Sequence, residues 1–179
     1  MKHVWIIGGS EGIGLAVARE LQASGIAVTI SARNTDRLQQ LNELEGFDIL
    51  TLDATRPVAV EQAVQQMYSD AASRPDNVLI NLGDYEPMSI EDYSLELFER
   101  LNAVNYLAPV SLLQHLLPAM KVSGGGNIWV NASLAVYRGL PKSAPYSASK
   151  AAVVSLVECL VPEAQQWGVH LGVINHGFV

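Results

Sequence analysis

Cysteine is almost missing from this sequence: Cys159 stands alone among 179 residues, so no internal disulfide can brace the chain. That scarcity fits a reducing compartment, and Cys159, inside an apolar run, reads as a small core residue. Charge is sparse too, at 16%, with no run of Lys or Arg anywhere and a formal net charge of −7. Such a balance excludes the basic footprint of a nucleic-acid binder and a polybasic patch for anionic membranes. No apolar stretch reaches the roughly 18 residues that span a bilayer. The apolar run near Met1 stops at Gly8-Gly9, too short for a signal peptide. A soluble cytoplasmic protein is expected. Repeats, low-complexity tracts and long linkers are lacking as well, which predicts one domain over 1–179.

What is present is an alternation. Short runs of Val, Ile and Leu, almost continuously apolar, predict strands at 3–7, 27–31, 48–52, 78–82, 127–131 and 169–174. Between them, helical periodicity covers 13–24, 36–44, 58–72, 95–121 and 144–167. Gly25 supplies a helix stop, Asn34-Thr35-Asp36 supplies caps, and Pro57 suits the start of the third helix. Strand–helix alternation with right-handed crossovers gives an α/β fold of three layers, a doubly wound parallel sheet of about six strands in the Rossmann manner. Pro162 falls inside the last helix and is expected to kink or interrupt it.

The first strand runs directly into Gly8-Gly9-Ser10-Glu11-Gly12-Ile13-Gly14, and a helix follows. Glycines there permit a tight turn, close backbone approach to a pyrophosphate and tight helix–strand packing. The helix N-terminus then offers N–H groups and a positive dipole end to the phosphates. Gly8, Ser10, Glu11, Gly12, Ile13 and Gly14 are therefore candidate cofactor-binding residues. An acid at the end of the second strand would bind the adenosine ribose of NAD, whereas an arginine suits a 2′-phosphate. This strand ends Ser31-Ala32-Arg33, so Arg33 favours NADP. Glu11 opposes a 2′-phosphate, and NAD is the alternative. No metal site is expected.

Tyr146 and Lys150 stand four apart, on one face of a helix. A phenol of ordinary pKa about 10 is a poor acid–base at neutral pH, and a neighbouring ammonium favours its ionised form. Ser133 lies at the end of the fifth strand, where ligands of open α/β sheets gather, and could hydrogen-bond a substrate carbonyl. Taken alone, a Tyr and Lys at this spacing are common on helices.

Together these residues resemble the short-chain dehydrogenase/reductase family. Ser133 followed thirteen residues later by Tyr146-x-x-x-Lys150 looks like its catalytic set, and Gly8-x-x-x-Gly12-x-Gly14 looks like its cofactor loop. Asp53 matches the acid that touches adenine. Asn81 and Gly83 match part of its Asn-Asn-Ala-Gly run, Asn105 its helical asparagine, and Asn175 with Gly177 its Asn-Pro-Gly segment. The resemblance implies a hydride exchanged between nicotinamide and a small carbonyl or alcohol substrate, with Tyr146 as general acid/base. It implies that Lys150 supports the tyrosine and the nicotinamide ribose, that Ser133 orients the substrate oxygen, and that Asn105 ties Lys150 into a water-linked proton relay. It also implies cofactor contacts at Asp53, Asn81, Gly83 and Gly177. A homodimer is expected through the two long helices, with Leu112, Leu116, Val153 and Leu156 as candidate contacts or ordinary core.

There are departures from the family pattern. Ile7 replaces a Thr of the glycine motif, and Ile80 and Leu82 replace an Asn and an Ala of the fourth-strand run; the lost polar groups normally help fix the cofactor loop, which predicts lower cofactor affinity. His176 replaces a Pro and reads as a structural substitution. Val179 follows the sixth strand directly, where family members continue through a substrate loop and a seventh strand. The rival reading is a nucleotide-binding sensor or interaction module on the same fold, with little or no catalysis.

Overall fold

A computed structural model describes residues 2–177. Six strands, β1 (His3–Ile7), β2 (Ala27–Ala32), β3 (Asp48–Thr51), β4 (Asn77–Ile80), β5 (Gly126–Asn131) and β6 (Val169–Ile174), form one parallel sheet in the order β3-β2-β1-β4-β5-β6. Helices α1 (Gly12–Ala23) and α2 (Thr35–Glu45) help cover one face, burying Ile6, Ile30, Leu38, Leu41 and Phe47. The other face carries the larger core, including Trp5, Ile80, Leu112, Leu116 and Val153. It is supplied by α3 (Pro57–Met67), α5 (Ala108–Val122) and α6 (Ala144–Gln166), with α4 (Leu95–Asn102) packed against α6. Successive residues of β1 point to opposite faces, Trp5 and Ile7 into one core and Ile6 into the other, which is why the strand is apolar throughout. The chain leaves β1 and β4 toward opposite sides of the sheet, and that divergence opens a crevice at their carboxyl ends. Among the described residues no helix is long and apolar enough to cross a membrane.

Several expectations need correction. The helix predicted over 95–121 is a helical rod, but with a π-turn (Ala103–Leu107) between α4 and α5, where Ala108 N–H reaches back to the Ala103 carbonyl. Pro109 is part of the cause: it has no N–H to offer the Asn105 carbonyl four residues earlier. Pro162, by contrast, does not interrupt α6. The carbonyl it deprives belongs to Glu158, on the solvent side, where water can satisfy it. Helix α3 stops at Met67 instead of 72, because the Asp70 carboxylate takes the Ala72 N–H and the Ser73 hydroxyl into a turn.

Cys159 is exposed, since it lies two residues past buried Val157 and so points to the other side of α6. Leu112, Leu116 and Val153 are fully buried in the core and unavailable as dimer contacts. The outward apolar groove between α5 and α6 is instead lined by Val110, Leu113, Leu117, Leu156, Leu160 and Trp167, with Gln114 and Pro118.

Candidate active site

The crevice at the carboxyl ends of β1 and β4 holds a cavity of about 420 Å³. Its floor begins where β1 ends. Gly8 turns the chain at φ +87°, a conformation that L side chains rarely adopt, and donates its N–H to the Ser31 carbonyl at 2.8 Å. Gly14 sits beneath the loop and does not line the cavity; a Cβ there would run into the Gly8 carbonyl and the Asn81 amide. Asn81 donates its amide to the Gly8 carbonyl at 2.8 Å and accepts in turn from Asn131 on β5. The loop is thus tied to two neighbouring strands despite Ile80 and Leu82. Glu11 precedes α1 in extended conformation and its side chain does not cap the helix. Gly8, Ser10, Glu11, Gly12 and Ile13 line the cavity.

At the β2 end the wall is formed by Arg33, Asn34, Asp53 and Thr55. Arg33 is exposed and enters no salt bridge among the described residues. One Asp53 carboxylate oxygen receives the Thr55 hydroxyl at 2.6 Å and the Thr55 N–H at 3.1 Å. The Thr55 hydroxyl above all, helped by the Thr55 N–H and the nearby Arg33 and Arg56 charges, holds the carboxyl below its usual range. Arg37, not singled out in the sequence, reaches the Ser10 carbonyl at 3.4 Å.

At the opposite end, α6 brings Tyr146 and Lys150 to the cavity. Lys150 is 3% exposed and donates to the carbonyls of Leu82 at 2.8 Å and Asn131 at 3.0 Å. Its Nζ lies 6.0 Å from the Tyr146 ring centre. Burial lowers the ammonium to about 8, while the two carbonyls favour its charged form.

Asn81 and Gly83 also line the cavity; Asn105, Ser133 and Gly177 do not. Asn105 is fully buried in the π-turn. Its side-chain oxygen accepts from Asp84 N–H at 2.7 Å, and its amide donates to the Asp84 carbonyl at 2.9 Å and the Ser149 hydroxyl at 3.0 Å. The Asn105 side chain is therefore committed to the backbone after β4 and to the Ser149 hydroxyl. Ser133 is 9% exposed, and its oxygen accepts the Ala135 N–H at 3.2 Å as it caps a short 3₁₀ turn (Leu134–Val136). Gly177 is exposed beyond the cavity, whereas His176 lines it. Tyr85 is a further lining residue that sequence reasoning missed, because an aromatic in an irregular loop carries no periodic or motif signal.

The arrangement suits a dinucleotide. A glycine turn without side-chain obstruction opens onto an uncapped helix N-terminus, a cation and carboxylate stand at one end, and a phenol–ammonium pair at the other.

A family model described as short chain dehydrogenase matches residues 2–179. The chain is 29% identical over 195 residues to dehydrogenase/reductase SDR family member 7B of Danio rerio, covering 99% of this chain and 61% of that protein. It resembles the crystal structure of L-sorbose reductase from Gluconobacter frateurii complexed with NADPH and L-sorbose, with TM-score 0.85, 29% identity, and coverage of 97% of this chain and 68% of that one. It also resembles NAD+-bound xylitol dehydrogenase, with TM-score 0.88, 25% identity, and coverage of 99% and 70%. The chain spans between 54% and 61% of the length of the first curated relatives it matches.

Proposed function

This chain belongs to the short chain dehydrogenase family, and from that premise we propose that it is an NADP-preferring oxidoreductase of carbonyl and alcohol groups. The observation that carries the reading is the convergence of Tyr146 and buried Lys150 on the same cavity as the glycine turn. Gly12 and Ile13 at the N-terminus of α1 would hold the pyrophosphate. Arg33 would meet a 2′-phosphate, with Asp53 beside the adenine and Lys150 at the nicotinamide ribose. The bound nicotinamide supplies or accepts the hydride. Tyr146 gives its hydroxyl proton to the carbonyl oxygen in reduction and takes it back in oxidation. Lys150, fixed by two carbonyls, keeps a positive charge beside the phenol. Ser133 uses its oxygen as an acceptor toward Ala135, which leaves its hydroxyl hydrogen to donate to the substrate oxygen.

One observation favours a second reading, a nucleotide-binding module without turnover: Ser133 is outside the lining of the cavity. Tyr146→Phe separates the two. For the enzyme, the variant binds NADPH as the parent chain does and loses carbonyl-dependent NADPH oxidation by at least about a thousandfold, the upper part of the range for general acid–base catalysis. Comparable turnover in both chains would reject Tyr146 as the acid–base.

A further inference from the structure

Between β4 and α4 the chain has no regular structure over residues 81–94, yet residues 84–86 are pinned at three points. Asn105 grips both the N–H and the carbonyl of Asp84. Arg100, on α4, places Nε 3.4 Å from the Asp84 carboxylate and pairs its terminal nitrogen with Glu86. Met88 N–H donates to the Lys142 carbonyl at 2.9 Å, joining this loop to the one before α6. Tyr85 lies between the two acids that Arg100 holds. Although 55% exposed, its ring meets the Tyr146 ring edge to face, with centres 5.3 Å apart and planes at 86°. Its hydroxyl is 3.5 Å from the Ser143 hydroxyl, at the head of α6.

We propose that Tyr85 is a positioning residue: clamped by Asn105 and Arg100, its ring braces Tyr146 in the orientation that proton transfer needs. A perpendicular aromatic contact of this geometry has a preferred orientation, unlike generic apolar burial. Tyr146 is only partly buried and its ring faces the cavity, where Tyr85 meets it edge-on. Bracing also explains why a solvent-facing loop carries two acids on a single arginine and a fully buried asparagine on its backbone. The proposal rests on the acid–base reading of Tyr146.

The test uses the full chain labelled with meta-fluorotyrosine and fluorine NMR, the Tyr146 signal being identified by its loss in Tyr146→Phe. In Tyr85→Leu that signal is expected to move toward the position of a solvated tyrosine, while that of Tyr68, held at the Pro75 carbonyl after α3, stays in place. In Tyr85→Phe, which keeps the ring, it stays near its parental position. With NADPH and the diketone benzil as probe, Tyr85→Leu lowers kcat about tenfold with a smaller change in KM, and Tyr85→Phe restores it. An unmoved Tyr146 signal in Tyr85→Leu would overturn the proposal, and so would equal loss of kcat in the Leu and Phe variants. If the signal moves as expected while the parent chain and Tyr146→Phe reduce benzil equally, the brace stands and the acid–base reading falls.

Discussion

Lys150 is 3% exposed, and burial lowers its ammonium from the ordinary 10.5 to about 8. A lysine whose folded pKa is depressed opposes folding while both states are protonated. Between about 8 and 10.5 the unfolded chain retains a proton that the folded chain has released, so stability attributable to this group rises with pH across that window. The unfolding free energy of the parent chain minus that of Lys150→Met should rise by about 3 kcal/mol between these limits. Denaturant titrations at several pH values would measure it, and a flat or falling difference would contradict the assignment. Tyr146 and Lys150 were legible in the sequence through the resemblance to the family's catalytic set, since a shared helix face alone is common. The destinations of the Lys150 ammonium were not, since the Leu82 and Asn131 carbonyls come from two other strand ends. Asn105 was legible as a position and not as a set of contacts. Its partner Asp84 lies 21 residues away, in a loop without pattern. The apolar neighbours of Cys159 suggested burial, but the side of α6 on which it lies decides exposure.

Among the elements, the β1–α1 unit matches its sequence most closely. A strand, a glycine turn and an amphipathic helix each carry a local signal, and the turn needs close contact with β4 to hold its shape. Gly14→Ala tests that packing. Its Cβ would collide with the Gly8 carbonyl and the Asn81 amide, pushing α1 from the sheet. We expect a loss of about 1–3 kcal/mol in stability, as for overpacked sites, together with weaker NADPH binding. Thermal unfolding and a binding titration would show it; parental affinity and stability would mean that the loop adapts without cost. The rod formed by α4, the π-turn and α5 is the opposite case. Its apolar periodicity predicts one plain helix, and periodicity does not register that Pro109 withholds a donor from Asn105. The early stop of α3 escaped for a similar reason, because Asp70 competes for backbone N–H groups through its side chain.

For the whole molecule, strand order follows from alternation and handedness, and the six-stranded order β3-β2-β1-β4-β5-β6 is the outcome. Place in that order explains why residues from the β1, β2, β4 and α6 regions share one cavity although they span most of the chain. The ends of the cavity differ in charge and chemistry, with Arg33 and Asp53 at one end and Tyr146 and Lys150 at the other. On the proposed reading, a dinucleotide would place its phosphate-bearing nucleoside at the first end and its reactive ring at the second. The most direct measurement is a fluorescence titration of the chain with NADPH and with NADH, repeated on Arg33→Ala. Saturable binding of both, tighter for NADPH, with that preference abolished in Arg33→Ala, is the predicted result. Failure of either dinucleotide to bind would contradict the account, and an NADPH preference that survives Arg33→Ala would remove Arg33 from it.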